Sequence, residues 1–236
     1  MAHIKLEELL TGNITGCSCG RDHRLTTREV ALQPGAMQRL PEMAARFFPP
    51  GRLLCVADGN TWLAAGERAV DMLRKGGRSV TAYRADLDGQ KLHAQPQAVD
   101  DLIDAIKDAE AEALLAVGSG TINDIAKSAA TAAACPLITV ATAASMNGYP
   151  SAISALTRAG VKTTEPCTPP VAIIADPQIM ATAPAAMTGA GFGDLLSKNA
   201  STADWLLGRT LHNEYFCPFS AAVADEAVRR CIANAQ

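Results

Sequence analysis

Between Leu53 and Ala175, short apolar or β-branched runs alternate with longer amphipathic stretches, and this alternation leaves the chain few folds to choose from. Leu53 to Ala57, Arg78 to Tyr83, Ala113 to Val117, Leu137 to Val140 and Val171 to Ala175 have the length and composition of strands. Thr61 to Lys75 reads as a helix stopped by Gly76-Gly77. Pro96 to Glu110 reads as a second, with Pro96 at its start and Val99, Leu102, Ile103 and Ile106 along one face; Ile122 to Ala133 reads as a third. Strands joined through helices pair in parallel with right-handed crossovers, which predicts an α/β fold with a doubly wound, Rossmann-like parallel sheet. Ligands in such sheets bind beyond the carboxyl ends of the strands. That rule gathers Asp58-Gly59-Asn60, Gly118 to Thr121, Thr142 to Ser151 and Asp176-Pro177 on one edge. From Pro184 onward the pattern is helical. The expected division is therefore an α/β domain over 1–182, with an irregular or hairpin start over 1–29, and the beginning of a helical domain over 183–236.

The turn after the third predicted strand, Gly118-Ser119-Gly120-Thr121-Ile122-Asn123-Asp124, runs straight into a helix. Backbone N–H groups and the positive end of the helix dipole converge there, a place suited to phosphate or pyrophosphate. A tight turn closed by a capping box, with Thr121 at the N-cap and Asp124 three residues on, explains the same residues. Asp58 could accept hydrogen bonds from a ribose diol or cap the following helix. It precedes the glycine turn by a whole βαβ unit, so this is not the common GxGxxG order. Thr142 to Ser151 is small and polar, fit either to approach a sugar phosphate or to serve as a solvated connection. Glycines at 189, 191 and 193 place Asp194 at or near a helix start with Lys198 one turn later. The pair could bind a metal and an anionic substrate, or form only a salt bridge.

Other partners are argued against by composition. Aromatic residues make up 4% of the chain and its net charge is −3, so a base-stacking or phosphate-tracking surface is not expected. The alanine-rich tract from Ala126 to Ala144 holds Lys127 and Pro136 and is too weakly apolar to span a bilayer. The seven scattered cysteines, one of them inside the strand at Cys55, fit reduced thiols, and a cytoplasmic protein is expected.

Taken in order, Asp58-Gly59-Asn60-Thr61, Gly118 to Lys127, Thr142 to Ser151, and Gly191 to Lys198 with Ala203-Asp204-Trp205 resemble the sn-glycerol-1-phosphate dehydrogenases. These sit within the larger group of iron-containing alcohol dehydrogenases, glycerol dehydrogenase and dehydroquinate synthase. The resemblance runs from about Val30 to the last residue. It implies NAD or NADP bound by Asp58, Gly118, Ser119, Gly120, Thr121, Asp124, Thr142, Ser145 and Ser151. It implies substrate contacts from Asn147 and Asp194, with Asp194 one of three ligands to a catalytic zinc or nickel and Lys198 beside it. The implied reaction is hydride transfer between NAD(P)H and dihydroxyacetone phosphate, a small phosphorylated triose. A polyol dehydrogenase, a dehydroquinate-synthase-like enzyme or a nucleotide-binding module without catalysis remain alternatives. Asn147 stands where the family carries aspartate, and Asp58 would repel a 2′-phosphate, favouring NAD.

The family's two histidine ligands lie downstream of Asp194, and none of His3, His23, His93 and His212 matches them. The metal site is therefore expected to be incomplete in this chain, which reads as shortened. Ala221 to Ala235 reads as an amphipathic helix whose apolar side invites homo-oligomerisation. Cys17-Ser18-Cys19-Gly20 with His23 offers three soft ligands. No fourth is evident in the sequence and C-x-C is not the usual metal spacing, so a surface turn or hairpin is expected.

Overall fold

The computed structural model describes residues 13–86 and 92–235. A small antiparallel hairpin, β1 (Asn13–Ile14) with β2 (His23–Arg24), precedes the main sheet. The chain then forms β3 (Glu29–Leu32), a 3-10 turn over Ala36–Arg39 and α1 (Leu40–Phe47). β4 (Leu53–Ala57) runs into a helical segment that opens at Gly59, passes through a π-helical stretch at Trp62–Gly66 and continues as α2 (Glu67–Lys75). β5 (Val80–Arg84), α3 (Pro96–Asp108), β6 (Ala113–Gly118), α4 (Gly120–Ala132) and β7 (Leu137–Ala141) follow. A second hairpin, β8 (Ile153–Arg158) with β9 (Val161–Pro166), leads to β10 (Ala172–Ala175). The rest is helical: α5 (Pro177–Met180), α6 (Ala185–His212) and α7 (Pro218–Ala233).

Six strands form one parallel sheet in the order β3-β10-β7-β6-β4-β5. Because the sheet is covered on both faces, its strands are apolar on both sides, which is why they read as continuous hydrophobic runs. Leu53, Cys55 and Leu115 pack with Met37, Leu40 and Leu73 on one face. Leu54, Val56 and Leu114 pack with Leu102, Ile122 and Ile125 on the other. After β4 the chain goes one way to β5, then returns across β4 to β6. The order therefore reverses between β4 and β6, and the crevice beyond their carboxyl ends is where such sheets take ligands.

Three local expectations change. Thr121 is not an N-cap: Ser119 holds that position, and no side chain caps α4. Asp124 instead turns back along the helix to Lys127, at 3.0 Å. Asp194 lies inside α6 rather than at its start, the glycines at 189 and 191 being accommodated within the helix. The β8–β9 hairpin was not expected, because its turn is Ala159-Gly160, both at positive φ (49° and 79°). Such turns usually announce themselves with Asn or Gly at the first of these positions, and alanine gives no such signal.

Candidate functional site

A cleft of about 780 Å³ opens beyond the carboxyl end of β6. Its floor is the start of α4, with Ser119, Gly120, Thr121 and Asp124. One wall is the loop after β7, with Ser145, Met146, Asn147, Gly148 and Ser151; another is Met187, Asp194 and Lys198 of α6. The β8–β9 hairpin contributes Ile153, Ala155, Thr157 and Lys162, and Leu92, His93 and Ala94 close the side.

Two glycines of the turn have different tasks. A Cβ on Gly118 would lie 2.5 Å from the Ile122 Cβ, so this glycine lets α4 pack back on its own strand. A Cβ on Gly120 would meet only the Met146 Cγ, at 3.8 Å, and would otherwise stand in the cleft. The bare backbone at Gly120 is thus demanded by no protein neighbour. α4 has no side-chain cap and its first residues, Gly120 and Thr121, line the cleft, which places the positive end of the helix dipole at its floor. Asn123, fully buried, ties the helix start to β7 by accepting the Thr139 hydroxyl at 3.0 Å.

The loop after β7 is held from three sides. The Tyr149 hydroxyl donates to the Ala143 carbonyl at 2.7 Å, and burial raises its pKa well beyond the usual phenol range. The Asn147 N–H donates to Asp194 Oδ2 at 2.9 Å, which ties the loop to α6. Gly191 lets α6 come this close, since a Cβ there would fall 1.8 Å from the Ala144 carbonyl oxygen. Lys127, fully buried, donates to Ser151 Oγ at 2.9 Å and to the Ile153 carbonyl while paired with Asp124. A buried ammonium is tolerable only with such partners. It lies in the stretch on which the resemblance rests, but its sequence context alone shows only an amphipathic helix.

Of the sequence candidates, Ser119, Gly120, Thr121, Asp124, Ser145, Asn147, Ser151, Asp194 and Lys198 meet in the cleft. Asp58, Gly118 and Thr142 do not line it. Asp58 closes a capping box with Thr61, accepting the Thr61 N–H at 2.8 Å while its own N–H donates to Thr61 Oγ1. Thr142 is buried, its N–H donating to the Gly118 carbonyl at 3.2 Å. Asp176 is structural, gathering the N–H groups of Gly35, Met37 and Gln178. Asp86 accepts the Gly59 N–H at 2.7 Å and lies 3.7 Å from Arg84, and Lys162 stands in the cleft wall, neither marked by any pattern in the sequence; His93, which matches no metal-ligand position of the family, also stands in that wall.

The profile of the family described as iron-containing alcohol dehydrogenase matches residues 31–184. The chain belongs to the iron-containing alcohol dehydrogenase family. Among curated relatives, it is 31% identical over 217 residues to a glycerol-1-phosphate dehydrogenase [NAD(P)+] of Bacillus licheniformis, covering 92% of this chain and 54% of that protein. It is 33% identical over 208 residues to the enzyme of that name from Methanosarcina mazei, covering 88% and 57%. The chain thus spans about half the length of the curated relatives it matches. The crystal structure of glycerol dehydrogenase from Schizosaccharomyces pombe shares the fold, with a TM-score of 0.63 at 24% identity over 72% of this chain and 42% of that one. No helix among the described residues is long and apolar enough to cross a membrane.

A family called iron-containing poses the question of a metal at Asp194. Its Oδ2 accepts the Asn147 N–H, and Lys198 Nζ lies 3.9 Å from its Oδ1. Among the described residues, no group of three His, Cys, Asp or Glu ligands forms around it. One carboxylate beside an ammonium does not make a divalent-metal site, for which three protein ligands are usual. The dinucleotide fits better, because an uncapped helix start and a glycine that no protein atom requires form a cradle open to phosphate.

Proposed function

We propose that this chain binds NAD(P)H in the cleft and acts as an sn-glycerol-1-phosphate dehydrogenase-like oxidoreductase on dihydroxyacetone phosphate. The observation that carries the reading is the uncapped, glycine-opened start of α4 at the point where strand order reverses. Pyrophosphate oxygens accept from the first-turn N–H groups and from the Ser119 and Thr121 hydroxyls. Asp58 lies outside the cleft lining and serves this reading only by capping the helix after β4 through Thr61. NAD(P)H supplies the hydride that reduces the ketone carbon. Lys198 and Lys162 offer cationic contacts for the substrate phosphate, the Asn147 side chain a hydrogen bond to the triose, and His93 a group able to exchange a proton with its oxygen. Ser145 borders the dinucleotide, while Ser151 serves through Lys127 by holding the loop.

The lone carboxylate at Asp194 favours a second reading for these 236 residues, a module that binds the dinucleotide without turning it over. Titrating the chain with NADH by fluorescence, alongside an assay of dihydroxyacetone phosphate reduction with added zinc, nickel or iron(II), decides between them. Binding with turnover supports the dehydrogenase, binding without turnover supports the module, and no saturable NADH binding overturns both.

A further inference from the structure

The N-terminal hairpin has almost nothing of its own to hold it. Its strands are two residues each, and none of its residues belongs to the buried apolar clusters of the sheet. Two-stranded hairpins of this size are marginal in water. Yet three of its side chains, Cys17, Cys19 and His23, converge with Cys217, which follows them by some two hundred residues and caps the N-terminus of α7. All four ligand atoms lie within 4.8 Å of one another. Cys17 Sγ is 3.8 Å from Cys217 Sγ, and His23 Nε2 is 3.3 Å from both Cys19 Sγ and Cys217 Sγ. With zinc–sulfur and zinc–nitrogen bonds of about 2.3 and 2.0–2.1 Å, the edges of a regular tetrahedron are roughly 3.8 Å between sulfurs and about 3.6 Å between sulfur and nitrogen. The four atoms therefore lie at nearly the spacing that one zinc ion imposes.

We propose that Cys17, Cys19, His23 and Cys217 form a closed Cys3His zinc site that fastens the N-terminal hairpin to the start of α7. Three thiolates and an imidazole select zinc among common divalent ions, and four protein ligands leave no open position, so the site is structural rather than catalytic. Its surroundings are those that thiolate ligands require. Cys217 is fully buried, which opposes ionisation, but it accepts the Ser220 N–H at 3.4 Å at a helix N-terminus. The Tyr215 hydroxyl donates to Cys19 Sγ at 3.2 Å, and the Arg21 guanidinium lies 3.8 Å above the Tyr215 ring, offsetting the surplus negative charge of three thiolates. Phe219 stacks on the His23 ring with centroids 6.1 Å apart, which fixes the imidazole plane. A Cys17–Cys217 disulfide would engage two of the four groups and leave Cys19 and His23 unexplained. The site shares no residue with the cleft.

The test is metal content and ligand geometry on the whole chain, expressed without a polyhistidine tag and purified without chelator. One zinc per chain is expected by mass spectrometry of the elements. Cobalt exchange should give the visible bands of a tetrahedral ion with thiolate-to-cobalt charge transfer. Cys217→Ser should lower retained zinc about tenfold or more, whereas Cys55→Ser and Asp194→Asn should keep it. His23→Cys, which preserves four ligands, should keep zinc and shift the charge-transfer band, and it remains informative if Cys217→Ser does not fold. A chain without zinc and without a cobalt spectrum, retention of zinc by folded Cys217→Ser, or a Cys17–Cys217 disulfide in the isolated protein overturns the proposal.

Discussion

A methyl group separates the two tasks of the glycine turn. Gly118→Ala drives a Cβ into Ile122, so it should cost about 1–3 kcal/mol in urea unfolding. Gly120→Ala meets no such obstacle and replaces glycine at the head of a helix, so it should leave stability unchanged or slightly raised. It should still weaken NADH binding about tenfold or more in a fluorescence titration, by holding the pyrophosphate off the backbone. Equal loss of stability in both variants would show that the cradle is only a packing feature. Thiol chemistry divides in the same way. Burial pushes the Cys55 thiol up to about 12, so iodoacetamide at pH 8 should reach it last among the four cysteines outside the proposed zinc site, as peptide mapping would show.

Among the elements, α4 connects the sheet to the cleft, and Lys127 is its anchor. Lys127→Ala removes the donor to Ser151 Oγ and the Ile153 carbonyl and leaves Asp124 without its cation. About 2–4 kcal/mol of stability should be lost in chemical denaturation, with faster amide exchange over 148–153. Unchanged exchange there would mean that the loop after β7 is held by Tyr149 and Asp194 instead. Periodicity made α4, α3 and the central strands legible, because each buries a stripe or run of apolar residues against the sheet. β3 and the β8–β9 hairpin escaped. β3 is four residues long at the sheet edge, and the hairpin is largely exposed, with Ala159-Gly160 for its turn. Short or exposed strands leave little hydrophobic pattern to read.

Across the described residues, the helices after Pro184 meet the rest of the chain at two places: Gly191 and Asp194 of α6 against the loop after β7, and the segment from Tyr215 to the start of α7 against the N-terminal hairpin. The first is sterically strict. Gly191→Ala should push α6 from the loop, break the Asn147–Asp194 hydrogen bond and lower NADH affinity while the sheet core keeps its exchange protection. Loss of core protection instead would mean that α6 and the sheet unfold as one unit. The sequence by itself determined the alternating α/β order, the parallel sheet and the loops at its carboxyl edge, because these follow from local periodicity and chain connectivity. Nine of the nineteen cleft residues were sequence candidates, seven of them in the loops and helix start that follow β6 and β7, and Asp194 and Lys198 through the resemblance. Tertiary structure alone decided which candidates face the cleft. Asp58 turned out to cap its own helix, α4 to be left uncapped, and Asp194 to sit inside α6. It alone also brought a buried cysteine at the head of α7 to the three ligands near the N-terminus, since no local pattern records a meeting of residues so far apart in the chain.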